Sequence, residues 1–101
     1  MDKIRLGRTE LMVTACSFGA LPVQRRGVED AVKLLRKAYD GGINYFDTAN
    51  MYTDSEMKLG LALCDVRHNI VISTKSGGKD KATVTAHIEN SLRMLKTDYI
   101  D

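Results

Sequence analysis

The sequence has 101 residues, which is room for one small domain. Its 15 lysines and arginines nearly balance 13 aspartates and glutamates, and the net charge of +2 indicates neither a nucleic-acid-binding surface nor an acidic tail. Hydrophobic residues make up 44% of the chain, but no apolar run approaches the roughly 20 residues that cross a bilayer, which excludes a membrane-spanning helix.

The first half of the sequence predicts a hairpin, a strand and a helix. Alternating apolar and polar residues around Gly7 indicate a β-hairpin over residues 4–13, and residues 14–19 indicate a buried strand. A loop over residues 20–27 leads to a helix that ends at Gly41, because glycine accepts the left-handed conformation that closes a helix. The apolar positions of this helix recur every three or four residues, at Val28, Ala31, Val32, Leu35, Ala38 and Tyr39.

The middle of the chain predicts a second strand and a second helix. Residues 43–48 indicate a strand, and period two places three of its side chains on one face, namely Ile43, Tyr45 and Asp47. The spacing from Thr53 to Glu56 is typical of a capping box, in which two side chains satisfy the first amides of a helix. The predicted helix fades near residue 65.

The last third of the chain repeats the pattern. Residues 69–75 indicate a strand rich in β-branched residues that is buried on both faces, as in a parallel sheet. A third helix is predicted to be capped by Thr83 or Thr85, with an inner stripe of Val84, Ile88, Leu92 and Leu95. Residues 98–101 are expected to begin a fourth strand.

The order of elements is a hairpin followed by strictly alternating strands and helices. Such alternation predicts an α/β fold with a parallel sheet. The chain contains neither a GxGxxG turn nor a GxxxxGK[ST] loop. Neither a Rossmann phosphate-binding turn nor a P-loop is therefore supported. Topology alone leaves a (β/α)₈ barrel and a flavodoxin-like sheet open.

The cysteines and histidines carry no site of their own. Cys16 and Cys64 form no CxxC pair and are expected to be buried small residues in a reducing compartment. No spacing supplies four ligands, so no metal site is predicted. Since the start of the sequence also lacks a secretory signal pattern, a cytoplasmic location is expected.

Asp47, Tyr52 and Lys75 are the candidates for chemistry. Asp47 and Lys75 each lie at the carboxyl end of a predicted parallel strand, which is the edge where catalytic side chains of βα barrels gather. Tyr52 follows in the loop after Asp47. Taken singly, an aspartate, tyrosine or lysine in such a place more often caps a loop, packs or faces solvent. Taken together, the three predict one site.

The chemistry of this trio follows from charge. A tyrosine has an ordinary pKa of about 10, which is high for proton donation at neutral pH. A lysine ammonium beside it favours the tyrosinate and lowers that pKa, while an aspartate holds the lysine in place. Such a tyrosine donates a proton to a carbonyl oxygen as charge develops there. That charge would come from hydride delivered to the carbonyl carbon by a nicotinamide.

These residues lie within motifs that resemble those of the aldo-keto reductase superfamily. Residues 42–49 with Tyr52 look like the family's GxNxFDTAxxY signature, and residues 55–63 are similar to its SE..lG.aL continuation. Residues 72–75 resemble its strand-end TK, residues 91–101 its SL..L..DYID, and residues 6–13 the hairpin that closes the barrel floor. The resemblance covers nearly all of the chain in order.

The resemblance implies the N-terminal part of a (β/α)₈ barrel that reduces aldehydes or ketones with NADPH. It assigns Tyr52 as the proton donor, Lys75 as the partner that lowers its pKa, and Asp47 as the anchor of Lys75 near the nicotinamide. Gly19 and Ala20 fall where the family's backbone approaches the cofactor. The implied partner is a small carbonyl substrate, with neither nucleic acid nor a membrane.

The sequence departs from the family pattern in two respects and resembles one subgroup in a third region. Thr53 stands where many members have glycine, and it is expected to be tolerated as a helix cap. The family's catalytic histidine comes after the DYID motif, so residues 1–101 lack it, and neither His68 nor His87 lies where it could substitute. Residues 21–25 resemble the loop of a bacterial subgroup with a C-terminal ferredoxin-like region. Two cysteines cannot hold a cluster, so an iron–sulfur centre would lie only in that region.

Residues 1–101 are therefore expected to form a partial barrel domain, with the hairpin, three βα units and the start of strand four. A barrel closes by pairing its first and last strands, so the remainder of the barrel is expected to be needed for stability and activity. An alternative hypothesis is a nicotinamide-binding regulatory or redox-sensing subunit with vestigial turnover. A non-catalytic α/β scaffold is the third hypothesis.

Overall fold

The computed structural model describes every residue from Met1 to Asp101. An antiparallel hairpin of β1 (Lys3–Arg5) and β2 (Met12–Thr14) comes first, as predicted. The remaining chain alternates strands and helices, with 3₁₀ helices at Leu21–Arg25 and Cys64–Asn69. In order, these elements are β3 (Phe18–Gly19), α1 (Val28–Asp40), β4 (Tyr45–Asp47), α2 (Ser55–Leu63), β5 (Val71–Ser73) and α3 (Lys81–Leu95).

The three later strands form a parallel sheet in the order β3-β4-β5. Sequential strands are therefore neighbours, whereas in a flavodoxin-like sheet the second strand lies on the far side of the first. Gly19 pairs with Asp47, and Asp47 pairs with Ser73, so the carboxyl ends of all three strands lie side by side. Three strands leave the sheet open, without a closed barrel.

The hydrophobic core lies between this sheet and the three helices. On β4, Phe46 is fully buried towards the helices, while Tyr45 and Asp47 on the opposite face are half-buried, so the predicted alternation of faces is confirmed. The eleven residues of the core are Ala20, Val23, Ala31, Leu35, Phe46, Leu59, Ala62, Leu63, Ile70, Ile72 and Leu95. No helix is both long and apolar enough to pass through a bilayer.

Asn44 fixes the hairpin to the amino-terminal end of the sheet. Its Oδ1 accepts a hydrogen bond from the Thr14 amide at 2.7 Å, and its Nδ2 donates to the Met12 carbonyl at 3.0 Å. Thr14 thus belongs to the hairpin, and the strand predicted at residues 14–19 shortens to Phe18–Gly19. The hydrogen bonds of Asn44 position the hairpin against the sheet. The apolar alternation of residues 4–13 predicted that a hairpin forms but not where it lies.

Two predicted helix caps are wrong. Thr53 does not cap α2: its φ of +42° lies in the left-handed region, and its hydroxyl contacts Gln24 and Asp54 instead. The cap of α3 is Asp80, whose carboxylate accepts from the Thr83 amide at 2.8 Å, so neither predicted threonine serves. A carboxylate at this position offsets the unpaired amides of the first turn more strongly than a hydroxyl does.

The predicted fourth strand does not form in residues 98–101. Instead, the Asp101 carboxylate accepts a hydrogen bond from the Ile72 amide at 3.0 Å, on the open edge of β5. Arg67 holds this segment, since its guanidinium donates to Asp101 at 2.7 Å and lies 3.9 Å from the ring centroid of Tyr99. A side chain therefore satisfies an amide that a fourth strand would otherwise bind.

Two predictions about burial also fail. Cys16 and Cys64 are exposed rather than buried, because one lies in a connection outside the core and the other begins the 3₁₀ helix that follows α2. On α3 only Leu95 of the predicted stripe is fully buried, and Ile88 stays 46% exposed. Ile88 borders a cavity of about 550 Å³ that Leu92 and Ile100 also line, so nothing in residues 1–101 covers this side of the helix.

Candidate active site

The carboxyl ends of β4 and β5 bring Asp47 and Lys75 together. Backbone pairing continues beyond the strands, because the Thr48 amide donates to the Ser73 carbonyl and the Asn50 amide to the Lys75 carbonyl, both at 2.9 Å. This pairing carries Lys75 alongside the segment that follows Asp47. The two residues, 28 positions apart in sequence, share one rim as predicted.

The Lys75 ammonium has three neighbours at this rim. It donates to Asp47 Oδ2 at 2.7 Å and to the Thr48 carbonyl at 2.7 Å. Its Nζ lies 5.3 Å from the ring centroid of Tyr52, within the range of a cation–π contact. The structure therefore brings the three predicted residues into one cluster.

The electrostatics of the cluster keep Lys75 charged. Burial lowers the pKa of the Lys75 ammonium, but the hydrogen bond and the charge of Asp47, together with the neighbouring Tyr52, raise it by more. The net result is a pKa above the ordinary 10.5, so the cation persists at neutral pH. Half of the Lys75 side chain is exposed, which leaves the cluster open to a ligand.

Ser73 completes the hydrogen bonding of Asp47. Its hydroxyl donates to Oδ1, the carboxylate oxygen that Lys75 does not use. The two partners orient the carboxylate from one strand, because residues two apart share a face. Sequence analysis did not select Ser73, although its position two residues before Lys75 was the signal that could have found it.

Tyr52 lies in a turn that its own backbone stabilises. Its amide donates to the Ala49 carbonyl at 3.1 Å, and its carbonyl accepts from the Ser55 amide at 2.8 Å. Thr53 follows in the left-handed conformation, which is costly for a β-branched residue. Its hydroxyl donates to Gln24 Oε1 at 3.2 Å, which ties this turn to the loop after β3.

Gly19 and Ala20 behave differently at the rim. Gly19 is exposed beside Asp47, and a Cβ placed on it would meet no atom within 4 Å, so its backbone faces open space. Ala20 is fully buried, and its backbone binds the Asp47 carbonyl at 2.8 Å and the Ser55 hydroxyl at 2.9 Å. The backbone of Gly19 is therefore accessible from the rim, whereas Ala20 is buried behind it.

A layer of buried polar side chains underlies the rim, and sequence analysis missed it. Ser55 donates to the Ala20 carbonyl, so the 2.8 Å contact between Ser55 and Thr48 has the Thr48 hydroxyl as its donor. Glu56 accepts from the Thr74 hydroxyl at 2.7 Å. The fully buried Lys58 donates to the carbonyls of Val23 and Arg26 and to Asp54, holding the loop after β3 against α2.

The remaining polar residues lie away from the cluster. His68 is exposed near the amino-terminal ends of the strands, beside the largest cavity, of about 740 Å³. His87 Nδ1 pairs with the Ser76 hydroxyl at 2.7 Å and contacts neither Asp47 nor Tyr52. No group of three or more histidine, cysteine or acidic side chains is arranged to hold a metal ion.

Known proteins similar to this chain share one family. The chain is 33% identical to the uncharacterized oxidoreductase YqkF of Bacillus subtilis and 35% identical to a probable voltage-gated potassium channel subunit beta of Oryza sativa. Both alignments cover the whole chain but only 37% and 36% of those relatives, so the chain spans little more than a third of their length. It also superposes on the holo form of aldo-keto reductase AKR11C1 from Bacillus halodurans with a TM-score of 0.91 at 31% identity, covering 38% of that chain.

The aldo/keto reductase family model matches residues 17–101, which include the whole parallel sheet and the Asp47, Tyr52 and Lys75 cluster. The strand order excludes a flavodoxin-like sheet, and the superposition is on aldo-keto reductases of which this chain covers less than half. The chain therefore belongs to the aldo/keto reductase family and forms the first part of its (β/α)₈ barrel.

Proposed function

We propose that this chain supplies the proton-donating half of an NADPH-dependent reductase that converts aldehydes or ketones to alcohols. The observation that carries the proposal is the placement of Lys75, whose ammonium binds Asp47 at 2.7 Å and lies 5.3 Å from the Tyr52 ring. Membership of an oxidoreductase family supports it. Tyr52 is the general acid, Lys75 its electrostatic partner and Asp47 the anchor of Lys75.

The mechanism depends on the charge that Lys75 retains. A bound nicotinamide cofactor supplies the hydride to the carbonyl carbon. As negative charge develops on the carbonyl oxygen, the Tyr52 phenol donates its proton there. The phenolate that remains is stabilised by the adjacent Lys75 ammonium. Hydrogen bonds to Asp47 and to the Thr48 carbonyl hold this ammonium in position. Gly19 is the residue of this rim that a cofactor ring can approach closely.

The proposal extends to the rest of the barrel. Residues 1–101 act as a partial barrel domain, and a complete barrel is needed both to close the sheet and to enclose the carbonyl substrate. The two unpaired, exposed cysteines suit a reducing compartment, so the proposal includes a cytoplasmic location. No comparison supports the expected iron–sulfur region, and the proposal does not include one.

The test is Tyr52→Phe in the complete protein. Loss of the phenolic proton is expected to lower kcat for aldehyde reduction by roughly 100- to 10,000-fold, while NADPH affinity measured by fluorescence stays within about threefold. Tyr39→Phe is the matched control, because the Tyr39 hydroxyl pairs with Asn69 near the opposite end of the strands. Equal turnover in Tyr52→Phe and the wild type would refute the assignment.

A second candidate function has support from one relative. The similarity to a probable potassium channel subunit beta favours a barrel that binds the nicotinamide cofactor as a regulatory or redox-sensing subunit. The same assay separates the two functions. Tight NADPH binding by the wild-type protein without turnover of any aldehyde or ketone in a broad panel would favour the regulatory subunit.

A further inference from the structure

Glu56 is an acidic residue in an unusual place. It lies in the first turn of α2, is only 3% exposed, and pairs with no lysine, arginine or histidine. The one hydrogen bond that its side chain makes is from the Thr74 hydroxyl to Oε2, at 2.7 Å. A buried carboxylate without a counter-ion is costly, although the amino-terminal end of a helix reduces that cost. The hydrogen bond from Thr74 is the side-chain contact that offsets this cost.

Thr74, the partner of Glu56, lies between two residues that bind Asp47. Thr74 is flanked by Ser73 and Lys75, the two residues that bind the two oxygens of Asp47. Side chains alternate along an extended segment, so Ser73 and Lys75 point to the rim while Thr74 points to α2. Glu56 therefore holds the segment from the side opposite to the cluster.

The hydrogen bond from Thr74 to Glu56 limits the movement of Thr74 and of the two residues joined to it. A short hydrogen bond to a carboxylate is stronger than one between neutral groups, and it restrains Thr74 at one atom. Since Thr74 is covalently joined to both neighbours, restraining it fixes the rotation of the strand about its own axis. Lys75 is a long side chain with four rotatable bonds, and its reach to Asp47 depends on where its own backbone is held.

We propose that Glu56 is a positioning residue, which acts through Thr74 to place the Lys75 ammonium between Asp47, the Thr48 carbonyl and Tyr52. The inference rests on the proposed function for its catalytic consequence, but its structural content concerns Lys75 alone. Glu56 itself touches neither substrate nor cofactor in this assignment.

The experiment compares two pairs of variants in the complete protein. Glu56→Gln keeps a hydrogen-bond acceptor and Thr74→Ser keeps a hydroxyl, whereas Glu56→Met and Thr74→Val remove them with little change in volume. The disruptive variants are expected to lower kcat about 10- to 100-fold, with KM within about threefold of the wild-type value. The conservative variants are expected to keep kcat near the wild-type value. The combined Glu56→Met and Thr74→Val variant is expected to lose little more than either alone, since the two residues act as one contact.

A titration of the Lys75 ¹³Cε resonance by NMR reads the same effect without any turnover. The pKa of Lys75 is expected to fall in Glu56→Met and in Thr74→Val, because the ammonium leaves Asp47. A lower melting temperature with unchanged kcat and an unchanged Lys75 titration would overturn the inference and leave Glu56 a structural residue. If Glu56→Met does not fold, the nearly isosteric Thr74→Val decides in the same way. A wild-type protein without turnover would refute the proposed function, while the titration would still test the placement of Lys75.

Discussion

Lys75 stays charged because Asp47 compensates for its partial burial. The raised pKa means that the folded protein binds the Lys75 proton more tightly than the unfolded chain does. The resulting contribution to stability is fully present below the ordinary pKa of 10.5 and is lost as pH rises through the folded value. That contribution is small, since half of the side chain is exposed and solvent screens the pair. The Lys75 and Asp47 pair is therefore expected to add little to the free energy of unfolding.

Asp47→Asn tests this charge directly. The amide keeps an oxygen for the Ser73 hydroxyl but removes the negative charge, so the pKa of Lys75 is expected to fall. The alkaline limb of the kcat profile is then expected to move to lower pH, with kcat at pH 7 reduced about tenfold or more.

Asp65→Asn is the control for this experiment. It removes a comparable surface pair with Arg36, at 2.9 Å, that lies on the outer helices. The profile of this variant is expected to match the wild type. An alkaline limb that does not move in Asp47→Asn would show that Asp47 has no electrostatic role at Lys75.

At the scale of elements, the sequence predicted which segments form strands and helices better than it predicted how they begin. The alternation of residues 43–48 and the stripe of α1 are local properties, and both appear in the structure, except that Val28 at the start of the stripe is exposed. The Thr53 and Glu56 pattern is also local, but a tertiary partner overrides it because Glu56 turns inward to Thr74. No local pattern reports that a residue 18 positions away will compete for a side chain.

Gly60 in α2 is a second case in which a tertiary contact overrides a local preference. Gly60 lies where α2 meets α3, and a Cβ placed on it would come within 2.4 Å of the Met94 carbonyl oxygen and 2.9 Å of the Leu95 Cα. Helix propensity alone predicts that alanine is better than glycine here by about 1 kcal/mol. Because the obstruction is backbone rather than a movable side chain, the close approach of the two helices decides the outcome.

We therefore expect Gly60→Ala to destabilise the complete protein by about 1–3 kcal/mol, opposite in sign to its helix propensity. Urea unfolding followed by circular dichroism measures the change. Thr85→Ala, on the exposed side of α3, is the control and is expected to shift stability by less than about 0.5 kcal/mol. A stabilised Gly60→Ala protein would mean that α2 and α3 separate easily.

At the scale of the whole molecule, the sequence predicted the residues of the candidate site better than it predicted the topology and the last residues of the chain. Asp47, Tyr52 and Lys75 were found because strand ends of a parallel sheet share one rim, a rule that needs only the order of elements. The fold class followed from the same order, but the choice between two topologies required the strand neighbours that the structure shows. Residues 98–101 departed from prediction because strand formation depends on a further strand or turn to stabilise it.

The open sheet makes a final prediction about the isolated chain. β3 and β5 each pair on one side only, and apolar residues beside the open edge stay exposed, including Ile88 at 46% and Tyr99 at 42%. Unpaired edges next to apolar surface promote association. We expect purified residues 1–101 to self-associate and to bind a hydrophobic dye, whereas the complete protein stays monodisperse without dye binding.

Light scattering after size exclusion and thermal unfolding together test this expectation. Adding the remainder of the barrel as a separate chain is expected to suppress both association and dye binding, because it covers the β5 edge that the Asp101 side chain now occupies. The cluster at Asp47 should then show the Lys75 titration of the complete protein. A stable, cooperatively unfolding monomer of 11.2 kDa would instead show that the arginine clamp of Arg67 on residues 97–101 is enough to seal the open edge.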